Sequence, residues 1–269
     1  EIAQCLVGSE MCIETELSLL GNIIDFLFPR YCAICDERLL GTEEMLCATC
    51  LQDLPITPTW EAPYENNMAK MFWGRIPIEK CAALFYYHSH SNPSYIIYKL
   101  KYHHRPDTGN YLGRLIASKG IESDFFKDID AIIPIPITKS RRKTRGYNQS
   151  EEIARGIQER THLTIITDAI RRVTFTESQT QKDRWQRLEN VKHVFQLSDT
   201  YHDKDGKHPI TDLAGKHLLI VDDVCTTGAT LISCCEELQK AGKMKFSITL
   251  SVIHISEPTD TERSRMPSS

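Results

Sequence analysis

The chain has 269 residues, 41% of them hydrophobic and 25% charged, with ten cysteines and a formal net charge of -4. That is long enough for one large or two smaller domains with a core, and too apolar for wholesale disorder. No run reaches the roughly 18 apolar residues that cross a bilayer, and the mild acidity excludes a surface coated in basic charge for nucleic acid, so any such contact must be a local patch.

The two ends look foreign. Residues 1–13 (EIAQCLVGSEMCI) and 255–269 (ISEPTDTERSRMPSS) resemble translated sequencing-adapter read-through. On that reading the natural chain runs from about Glu14 to about His254; ordinary frayed termini are the alternative. Leu17, Leu20, Ile23, Ile24, Phe26, Leu27 and Phe28 then recur at helical spacing, which predicts a short amphipathic helix. It lacks the basic face of a membrane-surface helix.

Two paired knuckles follow, Cys32-Ala-Ile-Cys35 and Cys47-Ala-Thr-Cys50. A C-x2-C turn brings two thiolates to one side, and two such turns can supply four sulfurs in a tetrahedron around zinc. With no histidine in the stretch, the expected ligand set is Cys32, Cys35, Cys47 and Cys50. A closed set of four thiolates makes the Zn2+ structural rather than catalytic. Two disulfides or four buried thiols are the alternatives. Pro55, Pro58 and Pro63 then break regular structure, so residues 55–75 are expected to form a linker.

From Cys81 the pattern alternates. Residues 81–87 read as a strand, 95–102 and 110–119 as helices, and 131–137 (AIIPIPI) as a buried strand ended by prolines. Five of the seven residues from Lys139 to Arg145 are basic and form an expected loop at the ligand edge of a sheet. Lys139, Arg141, Arg142 and Arg145 suit either a pyrophosphate, whose charge they would stabilise, or the backbone of single-stranded DNA; a plain solvated loop is the third reading. Asn148 with Glu151 predicts a capping box opening the next helix. Residues 171–190 read as a polar lid, and 199–212 as a surface loop. His193, His202 and His208 have no metal-ligand spacing.

Residues 217–221 (HLLIV) predict a strand buried on both faces. Asp222 and Asp223 sit at its C-terminal end, where α/β sheets bind ligands. A loop, Cys225-Thr226-Thr227-Gly228-Ala229-Thr230, then enters a helix expected over 230–240. Its N–H groups and hydroxyls can surround a phosphate at the helix N-terminus. The two acids would repel that phosphate but suit the hydroxyls of a ribose. Cys225 lies near a helix N-terminus, a position expected to lower its thiol pKa. Cys81, Cys234 and Cys235 fall on expected strand and helix, which favours burial. A last strand covers 246–253. Strands alternating with helices imply a mostly parallel sheet.

The run from His217 to Thr230 resembles the phosphoribosyl-pyrophosphate (PRPP) loop of type I phosphoribosyltransferases. That resemblance implies that Asp222 and Asp223 bind the ribose 2′- and 3′-hydroxyls, that residues 225–230 hold the 5′-phosphate, and that Mg2+ accompanies PRPP. Further features cover most of Leu19–Ile253. They are Phe28-Pro with the first knuckle, Lys99-Leu-Lys-Tyr102, Pro134-Ile-Pro136, Arg145-Gly-Tyr-Asn-Gln149, then Arg172, Thr176, Gln179, Gln181, Arg187, Asn190 and Val194-Phe195. Together they resemble the ComF family of competence-associated proteins. The family more often has Phe where Tyr147 stands.

The resemblance implies a zinc-ribbon domain at 14–60 and a phosphoribosyltransferase-like α/β domain at 75–254. It also implies partners among single-stranded DNA and the DNA-uptake proteins, and leaves open whether the chain transfers a phosphoribosyl group or only senses a nucleotide. Four of the ten cysteines go to zinc, two to the foreign end and four to the α/β domain. That count favours a reducing cytoplasm over a disulfide framework.

Overall fold

A computed structural model describes residues 29–87, 92–102, 105–173 and 194–253. The expected helix before the knuckles, both foreign-looking ends, His193 and nearly all of the 171–190 segment lie outside the described residues. The chain divides after Leu54 into two compact units.

In the first unit an antiparallel bridge joins Tyr31 to Arg38. Asp36 takes a positive φ of 56° between them, and the Cys32 N–H donates to the Glu37 carbonyl over 2.8 Å. A short helix, α1 (Ala48–Gln52), starts at Cys47, whose sulfur accepts from the Cys50 N–H. Leu39, Met45 and Leu46 are buried around the knuckles.

In the second unit the residues expected as a linker form short elements that contribute buried side chains to the core. A 3-10 turn (Pro58–Trp60) and α2 (Asn67–Lys70) run beside the edge strand β1 (Ile78–Tyr86). The Thr57 N–H donates to the Leu84 carbonyl, and the Asn66 side chain donates to the Cys81 carbonyl over 2.8 Å. Trp60, Met68 and Phe72 are buried. The prolines keep this segment from extending into a full ladder, but not from packing: the edge of β1 is met by an isolated Ile56–Phe85 bridge and by backbone and side-chain bonds from Thr57, Thr59, Pro63 and Asn66.

The chain continues through α3 (Asn92–Tyr102), α4 (Pro106–Glu122), β2 (Ala131–Pro134), α5 (Lys139–Arg145), α6 (Gln149–Thr161), β3 (Thr164–Ile165), β4 (Ile170–Arg172), β5 (Phe195–Leu197), β6 (Thr200–Asp203), β7 (Gly206–Pro209), β8 (His217–Cys225), α7 (Ala229–Leu238) and β9 (Lys245–Ile253). The main sheet has the order β1-β9-β8-β2-β3, and every pairing in it is parallel. Alternate residues of β8 serve two faces. Leu218 and Ile220 join the main core cluster with Phe246, Ile248 and Leu250, while Leu219 and Val221 are buried on the other side. That double burial is what the unbroken apolar run foretells.

Helices α4 and α6 meet through glycines. A Cβ on Gly113 would lie 2.1 Å from the Ile153 carbonyl oxygen, and one on Gly156 would lie 2.0 Å from that of Asn110. Residues 199–212 are not the expected loop but the β6–β7 hairpin and a 3-10 turn, Ile210–Leu213. Tyr201 of β6 is buried and its ring stacks on His208 at 5.3 Å. No helix among the described residues is long and apolar enough to cross a membrane.

Candidate functional site

Strand β8 carries its pairing with β9 through Asp222 to Cys225, so the acids sit on a rigid edge rather than in a loop. Its neighbour β2 ends one step earlier, where Pro134 pairs with Val221. After Cys225 the chain turns within three residues into α7. Gly228 makes this possible with a φ of 74°, a conformation that a side chain disfavours. Asp222, Cys225, Thr226, Thr227, Ala229 and Thr230 are among the residues that line a hollow of about 50 Å3 at the N-terminus of α7. Thr226 and Thr227 are exposed there, while the Cys225 side chain is buried in the core. Cys225 therefore offers only its backbone. Burial pushes its thiol up to about 11, the reverse of the lowering expected from the helix end.

The two acids are held differently. The Ser150 hydroxyl of α6 donates to Asp222 Oδ1 over 2.9 Å. Burial, then the adjacent Asp223 charge, raises the Asp222 carboxyl to about 7. Asp223 Oδ2 pairs with the Lys101 Nζ of α3 at 2.9 Å, and its Oδ1 accepts from the Val224 N–H. Ser150 gave no signal of its own in the sequence, and Lys101 entered only as part of a family resemblance. Both are brought in by tertiary structure, from 72 and 122 residues away in the chain.

The basic segment is a helix, not the expected loop. Thr138 caps α5 by accepting from the Arg141 N–H, and Gly146 closes it at a φ of 83°. That Thr-to-Gly frame is a cap signature the charge run obscures. None of its residues is buried. Arg142 pairs with Glu151 of α6 at 3.1 Å and Arg145 donates to Gln149 at 2.9 Å, so α5 is tied to the same helix end that holds Asp222. Asn148 starts α6 without the expected capping box: its amide donates to the Ile135 carbonyl and Glu151 turns to Arg142 and Arg155. Arg172, on β4, lies over the Phe195 ring. Burial, then repulsion from Arg141, lowers its pKa, and Asp222 opposes that shift. Of the three histidines, His202 bonds to Asp168 and His208 to Asp203.

The four knuckle sulfurs lie within 4.8 Å of one another, and none is in a disulfide. Zinc about 2.3 Å from each sulfur sets neighbouring sulfurs about 3.8 Å apart; Cys35 and Cys47 are at 3.7 Å. Burial pushes the Cys32 thiol up, but the backbone around it, led by Cys35 and Cys47, outweighs this and brings it down to about 7. Burial and its three thiol neighbours push Cys50 well up. Four thiolates packed this closely repel one another, and a divalent cation removes that conflict. The donor set therefore fits a structural zinc.

Residues 125–268 match the family described as phosphoribosyl transferase domain, and residues 23–64 match the double zinc ribbon domain. Among curated proteins, the chain is similar to the DNA utilization protein YhgH of Shigella flexneri, at 26% identity over 78% of this chain and 85% of that one. It is also similar to Competence protein F of Haemophilus influenzae, at 28% over 42% and 45%, and to Competence protein ComFC of Bacillus subtilis, at 30% over 42% and 39%. The resemblance to the competence-associated family is thereby borne out, as is a parallel sheet flanked by helices with an N-terminal four-cysteine ribbon.

Proposed function

The chain belongs to the phosphoribosyl transferase domain family, and from that premise we propose that it binds PRPP together with Mg2+ at the C-terminal end of β8, in the service of competence and DNA uptake. The observation that carries this reading is the acid pair on β8, followed within three residues by the Thr/Gly turn into α7. Asp222 and Asp223 accept hydrogen bonds from the ribose hydroxyls. The backbone of residues 225–230 and the hydroxyls of Thr226, Thr227 and Thr230 take the 5′-phosphate, assisted by the α7 N-terminus. Lys139, Arg141, Arg142 and Arg145 of α5, with Arg172, face the diphosphate and stabilise the charge that grows on it as it leaves. Mg2+, a hard cation that favours one or two carboxylates plus substrate phosphates, neutralises that diphosphate. The ribbon residues Cys32, Cys35, Cys47 and Cys50 hold Zn2+ as reduced thiolates, a state that suits a reducing cytoplasm. The names of the relatives support the link to competence and DNA use.

Calorimetry with PRPP, with and without Mg2+, tests the reading. Binding in the micromolar range that is lost in Asp222→Asn/Asp223→Asn supports it, and no heat from a folded protein overturns it. Pyrophosphate release with candidate amines or bases then reads turnover.

A second reading has its own observation. Lys139, Arg141 and Lys143 stand exposed on a seven-residue helix, as a contact to single-stranded DNA requires. In that case the chain is a nucleotide-sensing accessory of the uptake machinery, without transfer. Anisotropy of a labelled single strand, with a salt slope that flattens in Lys139→Ala/Arg141→Ala/Lys143→Ala, favours it.

A further inference from the structure

Asp223 is the only one of the two β8 acids with a cation on it among the contacts of the described residues. Lys101 Nζ sits 2.9 Å from its Oδ2, and the two side chains are 25% and 14% exposed. The lysine comes from the last turn of α3, and α3 is not loose. Ile96, Ile97 and Leu100 are buried, and the Tyr147 hydroxyl donates to the Leu100 carbonyl. Tyr147 stands two residues before Gln149, where α6 begins, and Ser150 of α6 binds Asp222. The ammonium is thus aimed at Asp223 from a helix turn held by its buried face and by Tyr147.

A second observation concerns what lies beside the pair. Lys101 lines a hollow of about 370 Å3, bounded also by Tyr87, Ile97, Tyr98, Val224 and Thr226. A lysine has a long, flexible stem. Rotation about that stem can carry its ammonium off Asp223 into this space without moving α3.

We propose that Lys101 is a latch on the ribose site: it occupies Asp223 when no sugar is bound, and it must swing into the adjacent hollow before a ribose diol or its metal ion can take that carboxylate. This rests on the reading of the acid pair as a ribose-phosphate site. The latch keeps two neighbouring carboxylates from repelling each other in the empty protein. It also makes each binding event compete with an internal cation, which selects for ligands that offer Asp223 more than one donor. Once released, the ammonium brings positive charge to the hollow that flanks the sugar.

The test compares full-length wild type, Lys101→Met and Lys101→Arg by calorimetry, titrating PRPP with Mg2+ and, separately, ribose 5-phosphate. Circular dichroism confirms that each variant is folded. The expected result is roughly two- to fivefold tighter binding by Lys101→Met, the size of a partly exposed ion pair, with Lys101→Arg close to wild type. Equal or weaker binding by Lys101→Met, with wild type still binding, overturns the latch and leaves the ribose site standing. Absence of binding in all three folded proteins overturns the ribose site and the latch with it.

Discussion

The Ser150 hydroxyl donates to Asp222 Oδ1 over 2.9 Å, tying the first turn of α6 to an acid whose carboxyl is raised to about 7 by burial and by its neighbour Asp223. A carboxyl raised on folding takes up a proton as the chain folds. Between about pH 4 and 7 the folded state therefore binds more protons than the unfolded one, and stability falls as pH rises through that window. Asp222→Asn keeps an acceptor for Ser150 while removing the charge. It is expected to raise the denaturation midpoint at pH 8 and to change it little at pH 4, while abolishing PRPP binding. Urea unfolding at the two pH values reads this; an equal loss of stability at both would refute it. Wild-type affinity for PRPP is expected to rise from pH 6 to 8.

The contact between α4 and α6 depends on two missing side chains. A Cβ on Gly156 would meet the Asn110 carbonyl at 2.0 Å, and backbone cannot step aside as a flexible side chain can. Gly156→Ala is expected to cost about 1–3 kcal/mol or more by overpacking, despite the better helix propensity of alanine. Gly41→Ala has open space around its Cβ but a φ of 54°, so its cost is smaller and arises from backbone strain alone. Thermal unfolding of both variants separates the two causes.

What was legible in the sequence was local. The apolar run of β8, its terminal acids and the Thr/Gly turn are contiguous, so one stretch of chain encodes strand, site and helix start. The knuckles are likewise short-range. What escaped depends on chain segments far apart. Ser150 has no pattern to mark it, because only the parallel pairing of β2 with β8 and the seating of α6 bring it to Asp222. Residues 55–75 failed for a different reason. Their prolines report on backbone hydrogen bonding, whereas Trp60, Met68 and Phe72 are fixed by burial against β1. The charge run at 139–145 was visible but misread as a loop, because its cap residues, Thr138 and Gly146, lie outside it.

The ribbon cysteines make a prediction about metal. The full-length protein is expected to carry one zinc per chain, and Cys47→Ser, which removes both a ligand and the sulfur that caps α1, is expected to lose it. Atomic emission on purified protein measures the content. Hydrogen exchange after treatment with a strong chelator is expected to show residues 29–54 losing protection, since such sites fold only with their metal. Full protection without zinc would count against a structural ion.

The cysteines of the α/β unit are expected to behave in the opposite way. Cys81, Cys225, Cys234 and Cys235 are all buried, and burial pushes each thiol upward, Cys225 to about 11. A thiolate is the reactive form, so these four are expected to resist a disulfide reagent at pH 8 until the protein unfolds. Mass spectrometry of the labelled native protein identifies the reacting positions. Rapid labelling of Cys225 would contradict the inward orientation of its side chain.

Lys80 closes the opposite side of the unit. Its side chain is buried, and its Nζ donates to the carbonyls of Phe125 at 3.0 Å, Lys127 at 2.9 Å and Asp124 at 3.3 Å. These carbonyls belong to the turn after α4, where Asp124 and Asp128 both take positive φ. Within that turn the Asp124 carbonyl already accepts from the Lys127 N–H at 3.2 Å, and one ammonium with three donors reaches it and the other two carbonyls from β1. Lys80→Met fills the space but takes this donor from the Phe125 and Lys127 carbonyls, and is expected to cost about 1–3 kcal/mol. Lys119→Met offers the contrast. Among the described residues the Lys119 side chain makes an exposed pair with Glu122, so its loss is expected to change stability by less than about 0.5 kcal/mol. If urea unfolding finds the two variants equally stable, the carbonyl cluster draws its satisfaction from water and not from Lys80.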